Sequence, residues 1–143
     1  MSGINVGRWL AGGVVAGIII LLVEGIASFT YMGDMETTLE AHGMSLEMSA
    51  AAWVLSVAVS LIAGLTLIFF YAAARPRFGP GPKTAVIVAV AMWFGGYLAS
   101  LIGYHMIGLY PMTMLALWGL VGIIELIVAA LAGGRIYQER EAT

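Results

Sequence analysis

The 143-residue chain has no cysteine, only six Lys and Arg against eight Asp and Glu, and four prolines. Without thiols it forms no disulfide, no thiolate metal site and no dithiol redox pair. Charged residues make up 10% of the chain, against about a quarter in soluble domains, so a soluble globular fold is excluded. A net charge of -2 with no basic patch outside one short loop also argues against nucleic acid as a partner. There is no phosphate-cradling glycine loop, no nucleophile-and-base pair and no Glu-x-x-His pair, so neither an enzyme nor a metal or other cofactor is expected. What the sequence does have is apolar length, with 62% hydrophobic residues and a mean hydropathy of +1.00.

Four runs reach the length of about 20 helical residues needed to cross a hydrocarbon core: 9–31, 50–73, 84–104 and 112–134. They predict a single transmembrane domain over 1–143, an all-α four-helix up-down bundle. The first run carries Glu24, exceeds a usual signal-peptide core and lacks a small-x-small cleavage site, so it is expected to be an uncleaved span. Arg8, then Arg75, Arg77 and Lys83, then Arg135 and Arg140 fall on one side of these spans, while 32–49 and 105–111 contain no Lys or Arg. Cytoplasmic loops collect Lys and Arg, so both termini are expected inside.

The stretch from Arg75 to Lys83 holds three of the six basic residues and three of the four prolines. Pro76, Pro80 and Pro82 should stop one helix near Arg75 and delay the next until about Thr84, making a cytoplasmic hinge. Arg75, Arg77 and Lys83 are then expected to meet anionic headgroups or a cytoplasmic partner. On the other side, 32–49 carries Asp34, Glu36, Glu40 and Glu47 and predicts a short extracytoplasmic helix, capped by Asp34 and ended by Gly43. Met32, Met35, Met44, Met48, Met106, Met112 and Met114, with His42 and His105, also gather on that side, and soft thioethers with imidazole suit Cu(I). Their spacing matches no metal-binding repeat, so copper is a minor alternative.

Small residues recur at helical spacing in every span, including Gly13 and Gly17, Ser60 and Gly64, Gly96 and Ser100, and Gly122 and Gly133. In lipid such stripes let backbones approach and mark helix interfaces. Glu24 and Glu125 lie on these stripes, and an ionisable group in a span is costly unless protonated, paired or hydrated. Counted from the cytoplasmic cations at about 1.5 Å per residue, Glu125 falls roughly 15 Å deep and Glu24 about 24 Å deep. Ser60, Tyr97 and Ser100 fall level with Glu24, so Glu24, Ser60, Tyr97, Ser100 and Glu125 form the candidate intramembrane polar site. Its simplest reading is a neutral, hydrogen-bonded glutamic acid clamping helices that glycines hold too close for water. Its sharper reading is a proton or cation site.

The hinge Arg75-Pro-Arg-Phe-Gly-Pro-Gly-Pro-Lys83, with Trp93, Gly96-Tyr97-Leu98 and Gly108-Leu109-Tyr110-Pro111, resembles that of a group of small uncharacterised bacterial four-transmembrane-helix proteins. The resemblance implies a multi-pass protein of the bacterial inner membrane and assigns no functional residue. Two functions are therefore expected. One is a structural, assembly or accessory subunit that packs against membrane lipids and against copies of itself or other membrane subunits. The other is a proton-linked small transporter or channel using Glu24 and Glu125, which in a four-helix protein calls for a homo-oligomer.

Overall fold

The computed structural model describes residues 4–47 and 49–138, so Met48 and Arg140 lie outside the described residues. Helix α1 runs Val6–Ala41, α2 Ala50–Phe78, α3 Pro82–Met92, α4 Leu98–Met106 and α5 Met112–Ile136. A π-helical turn, Trp93–Tyr97, joins α3 to α4 in one continuous span, Pro82–Met106. Among the described residues there are four such spans, each long and apolar enough to cross a membrane, and no strand. Their outward faces are apolar, as on α1, where Leu10, Val14, Ile18, Leu22 and Ile26 are exposed one turn apart.

The first helix differs from expectation. Asp34 does not cap a separate helix, because α1 continues through it for 36 residues, about 54 Å at the usual rise. Nothing between Met32 and Ala41 breaks a helix, and extending one costs far less than nucleating another. Gly43 does end it, at φ +72°, with Gly43 N donating to Glu40 O and Met44 N to Leu39 O.

The hinge is tighter than its prolines suggest. Helix α2 passes through Pro76 to Phe78, since a proline in the last turn forfeits a single hydrogen bond and leaves no long helix beyond it to kink. The reversal is made by Gly79 at φ +82° and Gly81 at φ +115°, values that a side chain rarely adopts. Helix α3 starts at once on Pro82, whose missing N–H would have had no helical partner. The fully buried Thr84 donates to Gly79 O at 2.6 Å, and Gly81 N donates to the Tyr71 hydroxyl at 3.1 Å.

At this hinge end the bundle is closed. Ala16, Leu67, Ile68, Ala89, Ala129 and Ala130 have no solvent exposure. Glycines set the spacing: a Cβ on Gly64 would lie 2.2 Å from Gly17 N, and one on Gly12 would lie 2.6 Å from Gly133 O. Indole donors add to the seams, Trp9 Nε1 to Leu65 O at 2.8 Å and Trp93 Nε1 to Gly119 O at 2.9 Å. Arg75 turns inward, where its guanidinium stands over the rings of Tyr71 and Tyr137 and donates to Tyr137 O at 3.3 Å. Arg75, partly buried, thus has protein partners for its guanidinium, unlike the exposed Arg77 and Lys83, for which no such stacking is seen among the described residues.

Towards the far end the helices part. Among the described residues the backbone of α4 approaches only α5 outside its own span, whereas α1 lies against both α2 and α5. Gly25, Gly95, Gly96 and Gly103 have open space where a Cβ would stand.

Candidate functional site: an acidic pair under an aromatic layer

Helices α1 and α5 run antiparallel, and two contacts fix their register. Gly12 meets Gly133 near the hinge end, and the ring of Tyr31 packs edge-on against Trp118 at 5.5 Å near the far end. Glu24 precedes Tyr31 by seven residues and Glu125 follows Trp118 by seven, so the Cα of each acid lies two turns, about 10 Å, from that of its ring residue toward the hinge end. The two acids therefore share one layer of the bundle.

Tyr31 links the two levels. Its hydroxyl donates to Glu24 Oε1, an interaction allowed because residues seven apart return to the same helix face. Tyr97 enters from the π turn, its ring lying where a Cβ on Gly122 would come within 2.6 Å, one turn before Glu125 on α5. A π turn inserts a residue into the helical register, and Gly95 and Gly96 within it leave room for the widened backbone.

The two acids differ in their surroundings. Glu24 is only partly buried, while Glu125 is 4% exposed and its Oε2 is buried without a hydrogen-bond partner. Trp118 Nε1, one layer away on the same helix, is likewise buried and without an acceptor. Aromatic contacts continue toward the far end from Trp118 to Tyr110 at 4.8 Å and on to Tyr104 at 5.7 Å. Burial, with a contribution from Tyr104, pushes the Tyr110 phenol above its ordinary range, so it remains a neutral hydroxyl.

Of the five expected site residues, Glu24, Tyr97 and Glu125 lie within about one helical turn of a common level. Ser60 does not join them: it lies opposite Gly17, two turns nearer the hinge than Glu24. The cause is helix register, since Gly13 faces Leu65 and Gly17 faces Leu61, which sets Phe70 rather than Arg75 level with Arg8. Ser100 is exposed and donates to Gly96 O on its own helix at 3.0 Å. Glu125, expected some 9 Å from Glu24 in depth, shares its layer for the same reason, the cations being poor markers of a common level. The clamp also loses one of its glycines, because Gly25 has no neighbour within 4 Å to exclude water beside Glu24. Tyr31, not among the expected site residues, was findable from its seven-residue spacing to Glu24.

Two cavities border this region. A vestibule of about 430 Å³ opens at the far end between the extension of α1 and the start of α5, lined by Asp34, Thr37, Thr38 and Thr113 with Pro111, Met114 and Leu117, and floored by Tyr31. An apolar groove of about 440 Å³ lies between α4 and α5, running from Trp93 to His105. The sulfur and imidazole groups expected to gather for copper are spread over separate places: His105 and Met112 line the groove, Met114 lines the vestibule, and His42 Nδ1 pairs with Thr38 O at 2.8 Å. Among the described residues no three His, Asp or Glu side chains cluster as for a metal ion.

No family model, curated protein or solved structure matches this chain.

Proposed function

We propose that the protein is a proton-linked membrane transporter or channel subunit whose Glu24 and Glu125 bind and release protons in turn. The observation that carries this reading is the Oε2 of Glu125, buried and without a partner in the layer that Glu24 occupies. A structural clamp would satisfy both carboxyl oxygens, because an orphaned buried polar atom costs about 1–3 kcal/mol. Two carboxyls in one low-dielectric layer disfavour double ionisation, which is the physical basis for a proton site there. Tyr31 provides a route to it, with its ring on the vestibule floor and its hydroxyl on Glu24.

Access in this state is from the far end only, since the hinge half is sealed by the core of Leu67, Ile68 and Ala129. By the distribution of Lys and Arg, the far end is extracytoplasmic and both termini are cytoplasmic, and the resemblance of the hinge implies the inner membrane of a bacterium. Four helices alone leave little room for a wide aqueous path, so on this reading the working unit is an oligomer. The open face at Gly96 in the π turn and at Ser100 and Gly103 on α4 favours such assembly and also supports the second reading, an accessory subunit that packs against other membrane proteins. Purified protein in liposomes loaded with a pH-sensitive dye separates the two. Proton movement abolished by Glu125→Gln supports the transporter, and proton-tight vesicles with the parent protein leave the accessory role.

A further inference from the structure

The vestibule above Tyr31 has a one-sided hydrogen-bonding character. Thr37 Oγ1 donates to Gly33 O at 2.9 Å and Thr38 Oγ1 donates to Asp34 O at 2.7 Å, so both hydroxyl protons are spent on the backbone. The Tyr31 hydroxyl proton is spent on Glu24. What these side chains present to the cavity is oxygen lone pairs, joined by the carboxylate of Asp34, which accepts only. No Lys or Arg lines the cavity; Thr113 adds a hydroxyl that can donate or accept, and the rest of the wall is apolar, formed by Pro111, Met114 and Leu117. A ligand that suits such a surface brings N–H donors, a positive charge and a small apolar body.

We propose that the vestibule binds a small primary ammonium, with its N–H groups on Asp34 and the threonine oxygens and its alkyl part on Leu117 and Met114. The charge of Asp34, with no Lys or Arg in the lining to offset it, disfavours carboxylates and phosphates, for which Thr113 offers the one unspent side-chain donor among the lining residues. It also disfavours quaternary ammoniums, which carry the charge without the donors. Charge-assisted hydrogen bonds of this kind are roughly twice as strong as neutral ones. The use of the site rests on the proton-linked reading, in which the ammonium is the solute exchanged for a proton of the acidic pair, but binding itself does not.

Calorimetric titration of the detergent-solubilised full chain with n-butylammonium chloride at constant ionic strength tests the site. Saturable one-to-one binding is expected, weakened at least about tenfold for tetramethylammonium and by Asp34→Asn, the scale of one charge-assisted hydrogen bond. Leu117→Trp, which fills the cavity from its apolar wall, should abolish binding with an unchanged melting temperature, and it serves as the decisive variant if Asp34→Asn misfolds. Absence of saturable binding, equal affinity for tetramethylammonium, or full binding by either folded variant overturns the proposal. Glu125→Gln should bind n-butylammonium normally. If the parent binds it yet releases no proton in vesicles, the vestibule stands and the proton-linked reading falls.

Discussion

The Tyr31 hydroxyl donates to Glu24 one side of the ring pair it forms with Trp118, so a single side chain touches both the acidic layer and the floor of the far-end vestibule. A phenol in that position passes a proton by giving up its own and accepting another, without moving its ring. Tyr31→Phe keeps the ring and removes the relay. We expect proton movement in vesicles to fall by about tenfold or more, within the range associated with a positioned acid–base group. The melting temperature should shift by only a few degrees, as for the loss of one hydrogen bond.

A hydrogen-bonding clamp at Glu125 would make glutamine a kinder replacement than leucine. The orphaned Oε2 reverses that order. Glu125→Leu removes a buried atom with no partner and should stabilise the protein by about 1–3 kcal/mol while ending proton movement. Glu125→Gln should end proton movement without that gain. Thermal unfolding in detergent decides, and a leucine variant less stable than the glutamine variant would mean that Oε2 has a partner in the membrane.

Gly64 and Gly103 should respond in opposite directions to the same substitution. A Cβ at Gly64 has nowhere to go, lying 2.2 Å from Gly17 N and 2.4 Å from Gly13 O, so Gly64→Ala must drive α1 and α2 apart. Overpacking of this kind costs about 1–3 kcal/mol or more. Gly103 has no neighbour within 4 Å, and Gly103→Ala should be neutral or gain up to about 1 kcal/mol of helix propensity in the monomer. Loss of the oligomer on Gly103→Leu, read by size in mild detergent, would place the partner on that face of α4.

Orientation can be read with single cysteines, because the chain has none of its own. A cysteine at Thr38 should react with an impermeant thiol reagent in intact cells, and one at Gly81 only after lysis. The opposite pattern would turn the vestibule to the cytoplasm and reverse the direction of the proposed proton entry.

The spans were legible because lipid leaves helices few alternatives, and four apolar runs separated by polar or proline-rich stretches set their number and approximate limits. The membership of the polar site was only partly legible. Depth counted from Arg8 and Arg75 assumed a common starting level, whereas the Gly13, Gly17 and Gly64 contact slides α2 along α1 and carries Ser60 away from Glu24. Tyr97 reached the site through a π turn whose extra residue leaves no periodicity to detect from one sequence, although Gly95-Gly96 marks a place where it is tolerated. Tyr31 was visible in principle, one heptad from Glu24 and one from Thr38, but an aromatic residue near a span end has an ordinary interfacial explanation that concealed it. The inward turn of Arg75 depends on Tyr71 and Tyr137, which are far apart in the chain and meet only once the hinge closes.

The central claim is that Glu24 and Glu125 together hold a proton that exchanges under physiological conditions. Infrared difference spectroscopy of the carboxylic C=O stretch, recorded on the reconstituted protein as pH is raised from acid through neutrality, tests it without assuming a substrate. The account predicts a protonated-carboxyl band that is lost as pH rises, disappears in Glu125→Gln and shifts in Glu24→Gln. A Glu125 carboxyl band that is indifferent to pH, or that ignores the loss of Glu24, would contradict it and return the pair to a purely structural role.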